Sequence, residues 1–489
     1  MEKGTGNYMV NSNQNSIFLP SPIRYASISV KKIFENNYRL DASAYDFDVL
    51  NALDLIEKNK NGFIPVTDLF SQNYVGNRFK RIYTENPLDI PFFLPSDIEN
   101  IYPKATKYIS NKTETKLDDL KVYKNMILLS CSGTIGKTTI VGKKLDNQIF
   151  SHDLIRIKTK DINDLGYVYT FFISGIGQTL LTSNNYGGVI DHIEPEHLNH
   201  IPIPITSTEI KCKINKFIQS SFEKREKSNE LIDKAQDILY SELKLPAFED
   251  IKPTYYSQNA GFRNFVVNAK DLDKRLDASY HLPEVTTIIN ILKSNSEKII
   301  KLSDKSIVSN IILPGRFKRV YVDKENGIPF FGGKQLLQLC PSNLKYLSSK
   351  YHSERIKNEL TIKENMIVVS CSGTIGKVMI APKHWDGWAI NQHCLRIVAS
   401  SKDYSGYLYA WLDSPYAKPL ILRNVYGAVI DELDDVQMSN VIVPILKDKN
   451  KIKEINDLVL QANDLRNEAY IEEQKALDIM NNEVLLVKK

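Results

Sequence analysis

The chain has 489 residues, too many for one hydrophobic core, so two domains or more are expected. Hydrophobic residues make up 42% and charged ones 25%, the balance of a soluble globular protein with sizeable cores. A net charge of +5 permits a nucleic-acid partner without demanding one, since local clustering counts for more than the total.

The first residues, MEKGTGNYMVNSNQNSIFLP, are polar and Asn-rich, with no apolar signal core. No stretch approaches the roughly 18 apolar residues needed to span a bilayer. The five cysteines, Cys131, Cys212, Cys340, Cys371 and Cys394, are odd in number, far apart and without a CxxC spacing. A disulfide framework and a zinc knuckle are therefore set aside, and a reducing cytoplasm is the expected compartment.

Beyond residue 20 the chain is written twice. NMILLSCSGTIGK (Asn125 to Lys137) matches NMIVVSCSGTIGK (Asn365 to Lys377) at an offset of 240. At that offset LIRI (Leu154 to Ile157) meets CLRI, GYVY (Gly166 to Tyr169) meets GYLY, and YGGVID (Tyr186 to Asp191) meets YGAVID. Upstream, RFKRIY (Arg78 to Tyr83) pairs with RFKRVY (Arg316 to Tyr321) at 238, and RLDAS at Arg39 with RLDAS at Arg275 at 236. Collinear matches over such a distance are a tandem duplication.

Each copy opens with a portion rich in β-branched and aromatic residues, broken by Gly, Pro and Asn, which reads as mixed strands, turns and short helices. Each closes on IPIPI (Ile201 to Ile205) or VIVPI (Val441 to Ile445) and then runs without Pro or Gly through 206–245 or 447–486. In these runs Ile210, Ile214, Phe217, Leu231, Ala235, Ile238 and Leu245 form one apolar stripe. Ile455, Val459, Ala462, Leu465, Ala469, Ala476 and Ile479 form the other. Steps of three and four place each set on one helix face, so the two helices are expected to pair as an antiparallel coiled coil, about 50 to 60 Å long at 1.5 Å per residue. The plainer alternative is two separate amphipathic helices, each on its own domain. The expected fold is α+β: a flexible extension (1–20), a recognition domain (21–205), a long helix (206–245), a second domain (246–445) and a second long helix (446–489).

The repeated SGTIGK invites a phosphate-loop reading, which fails. The position five before Gly136 is Cys131, Thr138 is answered by Val378 in the second copy, and the residues that follow look like a strand where a phosphate loop must open a helix. Two strands joined by a tight turn fit better, with Gly133 and Gly136 supplying permissive backbone angles. Such a turn either serves the fold alone or meets a DNA phosphate through Ser132, Thr134 and Lys137, and through Ser372, Thr374 and Lys377 in the second copy.

DHIEPEHLNH (Asp191 to His200) resembles a metal set, but His192, His197 and His200 correspond to Glu432, Gln437 and Asn440, so no metal site is expected. Nor is a catalytic residue. There is no methyltransfer tetrapeptide, and EEQK (Glu472 to Lys475) reads as a solvated helix face. The chain reads as a recognition protein. Its basic clusters, Arg78, Lys80 and Arg81 and then Arg316, Lys318 and Arg319, suit phosphate or guanine, and the neighbouring Asn73, Asn77 and Asn310 suit adenine. Three pairs of equivalent segments differ between the copies and are expected to face bases: SQNYVGN (Ser71 to Asn77) against SNIILPG, LPSDIENIYP (Leu94 to Pro103) against GGKQLLQLCP, and LTSNNYGG against ILRNVYGA. The last pair adds Asn184, Asn185 and Tyr186, and Arg423, Asn424 and Tyr426, to the candidate DNA contacts.

From about residue 20 to its end, this ordered and duplicated set resembles the specificity (S) subunit of type I restriction–modification systems. It rests on the double SGTIGK turn, YGGVID and YGAVID running into IPIPI and VIVPI, and the two long helices. The resemblance implies a non-catalytic DNA reader with two target recognition domains, each taking half of a bipartite site in double-stranded DNA. It implies helices that act as a ruler and dock two modification (methyltransferase) subunits, with restriction (translocase) subunits joining that core. S-adenosylmethionine, ATP and Mg would then bind the partners, with no cofactor or membrane for this chain. Ile214, Phe217, Leu231, Ala235, Ile455, Val459, Ala469 and Ala476 are the expected partner-binding positions. The competing classes are a DNA methyltransferase or nuclease with an unrecognised centre, and a two-lobed protein scaffold without DNA affinity.

Overall fold

The computed structural model describes residues 27–35, 38, 40, 45–84, 89–113, 116–183, 192–251, 265–272, 275–427 and 430–487. Within them the duplication is carried strand for strand. In the first domain Phe70–Val75, Leu154–Thr159, Ile127–Ser130 and Thr138–Ile140 lie side by side in one antiparallel sheet. A second sheet runs Tyr83–Thr84, Lys107–Ile109, Ile90–Phe93 and Ile149–Phe150, its last pair parallel. The second domain repeats both orders with Val308–Ile312, Cys394–Ala399, Ile367–Ser370 and Val378–Ile380, and with Tyr321–Val322, Lys345–Ser348, Gly327–Phe331 and Ala389–Ile390. Proline-bearing strands close each unit: Pro202–Pro204 on Phe63–Pro65, and Ile442–Ile445 on Lys298–Lys301.

The repeated turn is a hairpin built around one serine. Ser130 Oγ donates to the Thr134 carbonyl at 2.6 Å and accepts the Lys137 backbone N–H at 2.9 Å. Ser370 makes the same two bonds, to Thr374 at 2.7 Å and from Lys377 at 2.9 Å. Gly133 and Gly136 hold φ of 72° and 91°, the left-handed region that a side chain resists. The strand that leaves the turn confirms that no helix opens there.

The first long helix is Thr208–Glu242, capped by Ser207, whose hydroxyl accepts the Ile210 N–H. The second is Lys449–Ile479, capped by Asp448 and ending in a wide turn through Val484. They run antiparallel. Lys213 meets Glu483, Ser221 Oγ donates to the Ala469 carbonyl at 2.7 Å, and Lys234 shares a groove with Asp457. The two helices therefore pair with each other, and the reading as separate helices falls away.

The seam also serves both domains. Ile214 and Ile218 join the first domain's core together with Ala476, Ile479, Met480, Val484 and Leu485 from the far helix. Leu231, Ile232, Ala235 and Leu239 join the second domain's core with Ile452, Ile455, Val459 and Ala462. Of the eight positions expected to bind partners, seven are buried here inside the chain itself, and Phe217 is half-buried under Lys475. A side chain closed into its own core offers no surface to a second protein.

EEQK is not a solvated face throughout. Glu473 is buried, accepting from Tyr169 Oη at 2.9 Å and from the Cys340 thiol at 2.8 Å while paired with Arg225. Four distant parts of the chain thus meet at one carboxylate.

Burying an Ile in such a seam is worth about 1.5–3 kcal/mol, and an unpaired carboxylate there costs several more. Ile214→Asp is therefore expected to destabilise the first domain along with the rod, by several kcal/mol. Thermal unfolding of the variant should show both lost together; an unchanged first-domain melt would contradict the shared core.

Candidate nucleic-acid interface

In each domain the hairpin, the basic segment and the segment leading to the closing strand converge on one patch. In the first, Ser132 bridges to His192 and Asn73 Nδ2 donates to the Pro195 carbonyl at 3.2 Å. In the second, Ser372 and Tyr426 both bridge to Glu432, and Arg316 pairs with the Glu432 carboxylate at 3.1 Å. Gly133, Thr134, Gly373 and Thr374 stand exposed at the hairpin tips.

The basic residues divide by environment. Arg78, Lys80 and Lys318 are exposed and make no ion pair among the described residues. Arg316 is exposed despite its pairing. These are charges that a phosphate backbone can reach. Arg81 is different: half-buried, it bonds Ser151 Oγ at 3.2 Å, His152 Nδ1 at 2.9 Å and Asp153 at 3.2 Å, and lies 5.4 Å over the Phe92 ring. Hydrogen bonding from His152, then from Ser151, with the charge of Arg81 adding to it, holds the Asp153 carboxyl well below its ordinary value. Arg319 holds the same place in the second domain but meets a neutral amide, Gln392 Oε1, at 2.6 Å. His393 stands where Asp153 stood, its imidazole pushed below the ordinary value first by burial and then by Arg319 and Arg316. One guanidinium is neutralised and the other is not.

Other expected contacts are already committed elsewhere. Asn77 Nδ2 donates to Asp119 at 2.7 Å. Lys137 pairs with Glu99 at 2.6 Å and so presents no free charge. Asn424 is buried and donates to the Leu420 carbonyl at 2.8 Å, which removes it from any base-facing surface. Arg423 stacks on Tyr280 at 3.9 Å, beside a cleft of about 450 Å³ shared with Arg275 and Lys301. Asn310 is exposed next to a strand irregularity. Asn184, Asn185 and Tyr186 lie outside the described residues. His197 serves its own turn, Nδ1 accepting the Glu194 N–H at 2.9 Å. His152, Asp153, Gln392 and His393 were not read from sequence, although the differing SHD and NQH ahead of LIRI and CLRI mark the place.

A family model described as the type I restriction modification DNA specificity domain matches the chain twice, over residues 46–236 and 308–473. The chain belongs to that family. Members bind DNA and assemble with other subunits of their restriction–modification system, and this chain is a DNA specificity subunit of the type I class. Among solved structures it is similar to the type I S subunit from M. genitalium, at 14% identity and a TM-score of 0.33, over 88% of this chain and 97% of that one. It is also similar to the HsdS subunit from Thermoanaerobacter tengcongensis, at 12% identity and a TM-score of 0.26, over 85% and 95%. No curated protein matches it. Among the described residues of this specificity subunit, no helix is long and apolar enough to cross a membrane.

Two outcomes follow for the patch. Arg78→Ala with Lys80→Ala should weaken DNA binding and flatten its salt dependence by up to about one unit per lost phosphate contact, whereas Arg81→Ala should lower the first domain's melting temperature. Salt titrations and thermal melts separate the two classes. A carboxylate held below its ordinary 3.8 adds stability that is fully present above that value and is lost progressively as pH falls from there toward the depressed folded value. The stability gap between wild type and Asp153→Asn should thus shrink below about pH 4, as Tm measured from pH 3 to 6 will show.

Proposed function

We propose that the two domains read two different half-sites of one split target in double-stranded DNA, and that the outer faces of the paired helices dock two modification subunits. The observation that carries the first part is one frame set with different polar side chains: His192 opposite Ser132 of the first hairpin, and Glu432, paired with Arg316, opposite Ser372 of the second. Different donors and acceptors on the same frame select different bases, because each base pair presents its own major-groove pattern. The two domains share cores with opposite ends of a rod built from helices of 35 and 31 residues, so a duplex that meets both patches keeps uncontacted base pairs between its halves.

In this reading the chain supplies address and no chemistry. S-adenosylmethionine is held by the modification subunits, and ATP and Mg by restriction subunits. Exchange of residues 21–205 for the matching domain of a relative should alter one half-site in the methylome of cells carrying the complex and leave the other as it was. A single unbroken palindrome, or a change in both halves, would overturn the reading. Binding of S-adenosylmethionine by the chain alone would favour an enzyme instead.

A further inference from the structure

The segment LPSDIENIYP, expected to face bases, does something else. It crosses to the second domain and meets its own counterpart. Asn100 and Gln338 form an antiparallel bridge, and they are the same position in the two copies at the offset of 238 that aligns RFKRIY with RFKRVY. The Ile101 N–H donates to the Leu337 carbonyl at 2.7 Å. Its side chain, 6% exposed, enters an apolar cluster of Phe331, Leu336, Leu339, Met379 and Trp385, all from the second domain. Gln338, 5% exposed, donates to Glu99 at 2.8 Å. Glu99 in turn holds Lys137 of the first hairpin, and Asp97 lies under the charges of both Lys137 and Lys377.

The contact is also fixed to the rods and, through Asp413, to a helix of the second domain. Asn229 Nδ2 donates to the Ile101 carbonyl at 2.9 Å, Tyr102 and Lys144 meet Asp233, and Lys104 pairs with Asp413 at 3.4 Å. Cys340, two residues past the bridge, bonds Glu473 on the second helix. Equivalent residues facing each other make this a self-complementary joint, the intramolecular form of a two-fold interface.

We propose that this clasp, centred on Ile101 and Gln338, fixes the length of gap that the subunit accepts between its half-sites. The inference rests on the split-target reading above. One extra base pair moves a half-site by about 3.4 Å and turns it by roughly 35°, at about 10.5 pairs per turn. Two domains joined only through the rod they share can follow such a displacement by bending or twisting that rod. Domains that also share a backbone bridge and a buried isoleucine cannot follow it without breaking both.

The test uses the full modification complex and a panel of duplexes whose gap is shortened or lengthened by one pair, with methylation as the readout. Ile101→Ala and, as the milder change, Gln338→Ala should keep both half-sites but lower the preference for the native gap at least tenfold. Unchanged gap preference in both variants, each shown folded by its melt, would overturn the proposal. So would altered base preference within a half-site, since the segment would then be reading DNA. If wild type itself shows no gap in its target, the split-target reading falls first, before any variant is made.

Discussion

A backbone amide from each domain sits on an asparagine of the nearest long helix, and the rest of the molecule is arranged around that close approach. The Gly166 N–H donates to Asn215 Oδ1 at 2.9 Å, and the Gly406 N–H donates to Asn456 Oδ1 at 2.8 Å. A Cβ at Gly166 would stand 2.5 Å from the Cα of Asn215, and one at Gly406 would crowd Asn456 likewise. Only glycine lets the domain helix lie so close to the rod. The next residue completes the joint: Tyr167 donates to the Pro204 carbonyl at 2.6 Å, and Tyr407 to Pro444 at 2.7 Å. The GY pair and the closing prolines are thus one device, used twice.

That device explains why so much of the fold could be read from letters alone. The repeated motifs are the ones whose chemistry holds a domain to itself and to its rod: the serine hairpin, the GY pair, the proline strands. Matching letters imposed matching geometry, and the apolar stripes led to the expectation of paired helices that the shared seam bears out. What escaped was polar and distant. Asn215, Asn229, Asn463 and Glu473 look like solvated helix positions, because periodicity cannot distinguish a side chain facing water from one facing another domain's backbone. The Ile101 clasp leaves no local trace either. It joins residues more than two hundred positions apart, inside a segment whose divergence between copies looked like adaptation to bases.

The candidate DNA contacts were legible as a region more than as a set of side chains. Arg78, Lys80, Arg316 and Lys318 stand where a duplex can reach them. Arg81, Asn77, Lys137 and Asn424 carry the right chemistry but spend it within the protein, and composition could not show which hydrogen-bonding group had already found a partner. The contrast between Asp153 and His393 became meaningful only once Arg81 and Arg319 were seen to share a place.

The arginine of LIRI and CLRI has a consequence of another kind. Arg156 is fully buried among the carbonyls of Leu120, Phe150, Ser151 and Leu154, with no ion pair among the described residues, and Arg396 is also fully buried, donating to the Leu360 carbonyl at 3.2 Å. Burial lowers both to about 10, still well above neutrality, so each domain encloses a permanent cation. Carbonyl dipoles orient around such a charge without cancelling it, and its field emerges through a medium that screens poorly. Each domain therefore carries an interior positive charge that no surface substitution removes, whatever side chains its patch presents.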